Sequence, residues 1–473
     1  MEQICICIIG GGLSGTLLAV NLLQAAQEAT TVYLLEKEAP HLHRGVAYSS
    51  ALPFQPLNVP ALRMSLYPER PSHFVEWLLE RQYLYPALLP RSITPHDFIP
   101  RCIFGDYVAD VVKEAETNAP PGVQLVRLPQ EVTALEAIDR SFPFVVSLRD
   151  GSQLRGHKVI LALGNLPPIN LPIPNQAFYQ SSFYYALPWS AQALEGLPSK
   201  STVLLLGSSL TMVDWVGSLV AKGHQGKIYV VSRHGLLPAA HYPEAKPYPV
   251  NPFACHHHLS PLQALRLLRN EVRKATAKGY PWQSIIDAIR ESVPRIWQNF
   301  SYTEKKQFVR HLRPYWEVHR HRMPPASASM LHQLRENGQL QVKAASLVDI
   351  QEVAGKAEAV IKERGKGGQQ ALSVDLVINC TGPLCDYRQS PAPLIRQLIA
   401  QGLICPDPLS LGINATTEGN VLNARNLPVE NLYTLGPPLK GILYESTALR
   451  EIWQQAVSLA SLLLSGKSML AAP

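Results

Sequence analysis

The 473-residue sequence has no apolar run near the ~18 residues that a membrane span needs. Its opening, Met1-Glu2-Gln3, lacks the basic flank of a secretory signal, and a glycine turn follows within ten residues. There is no C-x-x-C, and the seven cysteines (5, 7, 102, 255, 380, 385, 405) are scattered and odd in number, so neither a redox dithiol nor a zinc ribbon is signalled. Charged residues make up only 17% of the chain, too few for a disordered or solvating sequence, while 46% are apolar. These absences predict a soluble, cytoplasmic, globular protein with no metal centre. Its length allows two or three domains of roughly 100–200 residues each.

What is present is uneven. Forty prolines exceed the ~5% background and predict many ordered loops. The net charge of +7 is concentrated: Arg266 to Arg322 carries thirteen Lys/Arg against five Asp/Glu, and the rest of the chain is nearly neutral. Such a block can attract phosphate, an acidic substrate or nucleic acid, or it can be a solvated helix face.

The first 36 residues read as strand, turn, helix, strand. Ile4–Ile9 is a continuous apolar run, as in a strand buried on both faces. Gly10-Gly11-Gly12-Leu13-Ser14-Gly15 follows it in the pattern G-x-G-x-x-G, and the next strand ends at Glu36. Gly10 permits the tight turn, Gly12 lets the backbone approach a pyrophosphate, and Gly15 allows the helix to pack closely on the strand. The helix N-terminus offers unpaired N–H groups to the phosphates, and Glu36 is placed to accept from the ribose hydroxyls.

A second, degenerate unit begins at Val203–Leu206. Its turn is Gly207-Ser208-Ser209, its helix starts at Leu210 with Thr211, and its next strand ends at Ser232-Arg233. An arginine there would pair with a 2′-phosphate, which favours NADPH over NADH. With the nicotinamide assigned to this unit, the first turn is left for FAD. A terminal strand-turn-helix, Leu432–Ala448, supports that division, because such a segment can return to the first domain and aim a helix N-terminus at the flavin.

Further segments carry a family likeness. Gly45-Val46-Ala47-Tyr48, Leu57-Asn58-Val59-Pro60-Ala61 with Met64-Ser65, Ser232-Arg233-His234-Gly235, His311-Leu312-Arg313-Pro314-Tyr315-Trp316, and Leu435-Gly436-Pro437 with Lys440-Gly441 join the two glycine turns. Together they resemble the bacterial FAD/NAD(P)-binding proteins related to flavin-containing and N-hydroxylating monooxygenases. The resemblance implies an α/β fold with two Rossmann-like dinucleotide-binding domains, of the glutathione-reductase-like FAD type, and a helical insertion. The expected divisions are 1–170 and 376–473 for FAD, 190–252 and 326–375 for NADPH, and 253–325 for the insertion or cap.

The resemblance also implies site residues. Those facing the cofactors would be Gly10, Gly12, Leu13, Ser14, Gly15, Glu36, Lys37, Gly45, Ala47, Tyr48, Asn58, Met64, Ser65, Val132, Gly164, Gly207, Ser209, Thr211, Arg233, Gly382, Gly436 and Thr447. Asn58, as a donor beside the flavin, and Lys440 are the catalytic candidates. The Gly164 and Gly382 turns resemble the crossings between the two domains. Arg313, Tyr315, His319 and Arg320 are the substrate candidates, since a guanidinium fork suits a carboxylate; internal salt bridges are the alternative for them. The F-x-G-x-x-x-H of flavin-containing monooxygenases is missing between the glycine turns, so oxygen activation stays open.

Three other features read as structural. His256-His257-His258 is a proline-flanked loop tract rather than a metal site. Ser208 and Ser209 lack the second glycine of a nucleophile elbow. Trp282, Trp316 and Trp453 read as packing rather than a nucleic-acid platform. The leading expectation is an FAD- and NADPH-dependent oxidoreductase, a monooxygenase on a small polar or acidic metabolite, with N-hydroxylation of an amine as a subtype. The alternatives are an NAD(P)H-dependent flavin reductase or oxidase, and a non-catalytic flavin-fold protein with a basic docking surface. The expected partner is a small molecule, not a membrane or nucleic acid; a homodimer is compatible.

Overall fold

The computed structural model describes residues 3–465 apart from 50, 51, 53, 91, 139–142, 243, 244, 257 and 366. His257, named from the sequence, therefore lies outside the described residues.

The chain starts with β1 (Ile4–Ile9), α1 (Leu13–Ala25) and β2 (Thr30–Leu35). β3 (Val123–Leu128), β4 (Val132–Ala137), β5 (Phe144–Leu148), β6 (Gln153–Gly156) and β7 (Lys158–Leu161) follow. β1 lies between β2 and β7, parallel to both, with Ile6 opposite Val32 and Lys158. Apolar residues on both faces suit this central position. One face is covered by α1, the Arg101–Thr117 helix and the last helix of the chain, through Leu17, Leu18, Tyr107 and Ala456. The opposite face carries the antiparallel sheet β4-β5-β6 and the Pro393–Ala400 helix.

The second domain holds β8 (Tyr184–Tyr185), β9 (Val203–Leu206), β10 (Ile228–Ser232), β11 (Leu340–Val353), β12 (Lys356–Glu363), β13 (Gln369–Val374) and β14 (Leu376–Asn379). Their order is β13-β12-β11-β10-β9-β14-β8. The 14-residue β11 serves two ladders. Its first part, 340–344, runs parallel to β10, and the rest, 345–353, pairs antiparallel with β12 with an irregularity between Leu347 and Asp349. α2 (Leu210–Ala221) covers this sheet with the Pro325–Glu336 helix, burying Trp215 against Leu331 and Leu334.

β14 corrects one boundary. Expected in the first domain from residue 376 on, it pairs with β9 and β8 and belongs to the second sheet. Three apolar residues followed by Asn379, all buried, carry no mark of which sheet they join. The chain then returns to the first sheet as β15 (Asn420–Leu422) and β16 (Pro428–Thr434), the latter parallel to β7.

Between β10 and β11 lies the helical insertion, opened by α3 (Pro261–Ala277) and ending in α4 (Arg313–Arg320). Ser260 and Gln263 form a capping box at the start of α3. A π-helical turn, Phe308–Leu312, carries the helical path into α4. α5 (Leu449–Leu464) closes the fold, and the chain turns before it at Tyr444, which has φ +60°. The domains are locked by Arg101 of the first against Asp214 of the second, 3.3 Å apart and mostly buried.

Candidate functional site

The first turn has the backbone that a G-x-G-x-x-G corner requires. Gly10 has φ +112°, and a Cβ there would lie 2.1 Å from the Ala162 carbonyl oxygen. A Cβ at Gly15 would meet the Gly10 oxygen at 2.0 Å, and one at Gly12 would meet Gly45 Cα at 3.1 Å. No side chain caps α1, and its first turn holds no acid. Its first N–H groups are therefore left for an anionic ligand. The Gly11 N–H donates to Glu36 Oε2 at 3.0 Å, fixing that carboxylate at the tip of β2. Lys37 follows it, exposed.

The loop after β2 completes this cradle. His43 takes φ +66°, and its N–H donates to the Gly11 oxygen at 2.7 Å. Its ring accepts from Arg127 Nε at 2.8 Å, and Arg127 is itself paired with Glu116. Burial, then Arg127, lowers the His43 pKa to about 4, so the ring is neutral at pH 7. Sequence reasoning missed this residue; the signal available was its place two positions before Gly45. Ala47 is exposed, and the Tyr48 ring packs on Phe104 with centroids 4.7 Å apart. On the far side, a Cβ at Gly436 would lie 2.5 Å from Ser14 Oγ, so the turn after β16 comes back against the first turn of α1. Thr447 lies just before α5, exposed. Beside it, Glu445 Oε1 and Ser446 Oγ are buried without a protein hydrogen-bond partner among the described residues.

The second turn repeats the backbone with different side chains. Gly207 has φ +111°, and a Cβ would lie 2.2 Å from the Cys380 oxygen. Ser209 precedes α2 without capping it, and Thr211 is half-buried in the first turn of α2. The Gly10 N–H donates to Leu35 O and the Gly207 N–H to Val231 O, both at 2.8 Å. Ser232 therefore stands at the register of Glu36, and Arg233 one residue beyond it. Arg233 is exposed and has no carboxylate partner among the described residues. The Ser208 hydroxyl donates to Leu236 O at 2.6 Å and lies 2.8 Å from Ser232 Oγ. Arg364, which the sequence did not single out, lies 2.6 Å from His234 Nδ1 and adds a second guanidinium close to Arg233.

The crossings are close neighbours. Leu166 bridges Leu384, which sets the Gly164 and Gly382 turns side by side. Both glycines have positive φ, and a Cβ on either would meet nothing within 4 Å, so open space faces both. Asn58 lies in the loop from β2 toward the Arg101–Thr117 helix. Its carbonyl accepts from His241 Nε2–H at 2.7 Å, while its side-chain amide has no protein partner among the described residues. Burial, then Arg322, lowers the His241 pKa to about 4. Met64 is part of the core, Ser65 Oγ donates within its own turn to Tyr67 O and Arg70 O, and Val132 is buried as the first residue of β4.

The basic block divides. Arg320 is 2.9 Å from the buried Glu445, and Arg290 forks onto Glu451 at 2.6 and 2.5 Å. Glu317 is a hub: Lys440 Nζ at 3.3 Å, His321 Nε2 at 2.9 Å, the Tyr444 hydroxyl at 3.0 Å and Arg313 Nε at 3.7 Å surround it. Burial would raise the Glu317 carboxyl, but Lys440, His321 and Arg313 outweigh it and hold it well below the usual range. Arg313, Arg320 and Lys440 are thus engaged inside the protein, the alternative that the sequence left open for the two arginines. Tyr315 and His319 are exposed and line a cavity of about 760 Å³ in the insertion.

The cysteines take no part in this site. Burial pushes the Cys7 thiol up to about 12 and raises Cys380 as well, and all seven are unpaired. Among the described residues no group of three His, Cys, Asp or Glu side chains could hold a metal ion, and no helix is long and apolar enough to cross a membrane.

Comparison with known proteins accords with this geometry. Residues 7–166 match the model of a family described as FAD-NAD(P)-binding. No curated relative matches the chain. Among solved structures, an ornithine N-hydroxylase from Kutzneria sp. 744 is 15% identical and superposes with a TM-score of 0.63, covering 98% of this chain and 99% of its own. The FAD-bound cadaverine monooxygenase DfoA from Erwinia amylovora is 12% identical, with a TM-score of 0.64 over 98% of this chain and 95% of its own. The bacillithiol disulfide reductase Bdr from Bacillus cereus is 14% identical, with a TM-score of 0.55 over 98% of this chain and 100% of its own. The chain has the fold of the two-domain flavoproteins. That fold serves amine monooxygenases and a disulfide reductase alike, so the reaction must be argued from the site.

Proposed function

We propose that this chain is an FAD- and NADPH-dependent oxidoreductase, a monooxygenase of the N-hydroxylating kind acting on an amine-bearing metabolite. The observation that carries the cofactor assignment is the pair of glycine turns with opposite chemistry beyond them: the carboxylate of Glu36 after the first, and Ser232-Arg233 after the second. A carboxylate suits the ribose hydroxyls of FAD, whereas a neutral serine followed by an arginine suits a 2′-phosphate. The residues fit both groups, since each turn opens a helix whose N-terminus no side chain caps.

In this reading Gly12, Leu13 and Ser14 receive the FAD pyrophosphate at the N-terminus of α1, and Gly436 shapes the wall against Ser14. Gly207 and Ser209 receive the nicotinamide dinucleotide, with Arg233 on its 2′-phosphate. The open space at Gly164 and Gly382 is where the two domains let their ligands meet. Asn58 offers a side-chain amide with no protein partner among the described residues, and His241 holds its backbone in place. Lys440 acts through Glu317 as a positioning residue for the Gly436–Tyr444 turn. Bound FAD supplies hydride acceptance and reaction with oxygen; the protein supplies position and electrostatics.

The amine reading draws on the fold shared with two amine hydroxylases and on the absence of a redox cysteine pair. Its test is rapid-scan spectroscopy: the flavin-loaded protein is reduced by NADPH without oxygen and then mixed with oxygenated buffer. A transient species, distinct from oxidised and reduced flavin and consumed faster with an amine present, supports oxygen insertion. Direct return to oxidised flavin with every amine tried favours a reductase or oxidase.

A further inference from the structure

A cavity lies in the helical insertion, and its lining is almost entirely apolar. Its volume of about 760 Å³ falls within the ~300–1,000 Å³ range of small-molecule sites. α3 supplies one wall. Pro261, Ala264, Leu265, Leu268 and Val272 recur at helical spacing and face the cavity. Ile286, Ile289 and Val293 add the aliphatic side, and Trp282, Trp297 and Trp316 the aromatic side. Tyr444 reaches it from the first domain, and the Trp297 Nε1–H donates to Gly441 O at 2.8 Å, so the cavity abuts the Gly436–Tyr444 turn.

The rim has one sign of charge. Arg269 and Arg273, one turn apart on α3, line the cavity yet are exposed, and neither has a carboxylate partner among the described residues. Arg273 lies 3.3 Å from Asn270 Oδ1 only. Tyr315 and His319 complete the exposed edge. Among the described residues no acidic side chain lines the cavity. This differs from Arg290, Arg313 and Arg320 in the same segment, each of which has a glutamate beside it.

We propose that this cavity binds a single-chain amphiphile, an aliphatic carboxylate whose chain occupies the apolar interior and whose head pairs with Arg269 and Arg273. An apolar interior rewards every buried methylene, and a planar guanidinium fork matches a carboxylate. The proposal rests on the cavity alone and stands whether or not the chain oxidises NADPH.

The test is titration of the flavin-loaded full chain with octanoate, decanoate and dodecanoate, followed by tryptophan fluorescence, since three of the seven tryptophans line the cavity. Affinity should rise about fourfold per added methylene. Dodecanoate should bind at least about tenfold more tightly than dodecylamine, as expected for charge-assisted pairing. Arg269→Glu with Arg273→Glu should weaken dodecanoate at least as much and leave dodecanol unchanged. Leu268→Trp should weaken both dodecanoate and dodecanol by filling the interior, with the thermal midpoint checked to confirm folding; the surface double variant carries the test if it does not fold. Affinity independent of chain length, or a preference for the amine, would overturn the proposal. So would co-sedimentation with phosphatidylglycerol vesicles that dodecanoate does not prevent, which would make this face a membrane contact. A dimer that must dissociate before dodecanoate binds would likewise overturn it, making the face an interface between copies.

Discussion

Gly10 and Gly207 occupy the same place in the two domains, with φ +112° and +111° and a carbonyl 2.1 and 2.2 Å from where a Cβ would be. Beyond that shared position the turns diverge. The second and third glycines of the first turn, Gly12 and Gly15, become Ser209 and Met212 in the second. Gly15 is required because a Cβ there would strike the Gly10 oxygen, while Met212 is fully buried among Val203, Leu205 and Trp215 without any such conflict. The first helix is therefore drawn tightly onto its strand and the second is not. The first glycine makes the strand-turn-helix corner; the others tune how closely backbone approaches ligand and strand. The same register that sets Glu36 beside Gly11 sets Ser232 beside Ser208, and this substitution of a hydroxyl for a carboxylate separates the two ligand assignments.

The comparison can be broken most severely at its common point. Gly10→Ala and Gly207→Ala should each cost about 3 kcal/mol or more, because positive φ and a backbone clash act together. Chemical denaturation should detect both losses, and flavin content should fall for Gly10→Ala in protein that still folds. Arg233→Ala should raise the KM for NADPH about tenfold or more and leave that for NADH nearly unchanged, as expected when a charge-assisted bond is lost. Ser232→Asp should act in the same direction, by placing a carboxylate against the 2′-phosphate; steady-state kinetics with both nucleotides checks the pair. Glu36→Gln should weaken FAD about fivefold, read by fluorescence titration of the apoprotein, and leave the NADPH/NADH ratio alone.

The smallest effect concerns acid. His43 titrates near 6.5 when unfolded and at about 4 when folded. The unfolded chain therefore takes up the proton first, and stability that is fully present above pH 6.5 is lost as pH falls toward 4. His43→Gln should flatten that loss in urea denaturation run at a series of pH values.

Much of this was legible in the sequence because the governing signals are local. Gly10-x-Gly12-x-x-Gly15, the apolar run before it and Glu36 after it specify one corner, and the structure reproduces it. Gly207 with Ser232-Arg233 specifies the other. The features that escaped are set by distant chain. β14 looks like any buried strand until β9 pairs with it. Glu317 looks like one acid on a basic helix until Lys440 and Tyr444, more than a hundred residues later, close on it. For the same reason Arg313 and Arg320 read equally well as substrate anchors or internal partners, and only the positions of Glu317 and Glu445 distinguish the two. The apolar interior of the insertion was hidden because α3 interleaves its leucines with Arg266, Arg269 and Arg273, and the charge of the segment masks its apolar face.

The central claim is that the two turns hold different dinucleotides, FAD on the first and NADPH on the second, and that their ligands meet. The most direct test is anaerobic stopped-flow reduction of the FAD-loaded protein by NADPH and by NADH, with the wild type and Arg233→Ala side by side. The account predicts bleaching of the flavin band by NADPH at lower concentration than by NADH, with that preference abolished in the variant. A protein that takes up no FAD, or a flavin that neither nucleotide reduces, or a nucleotide preference untouched by Arg233→Ala, would contradict it.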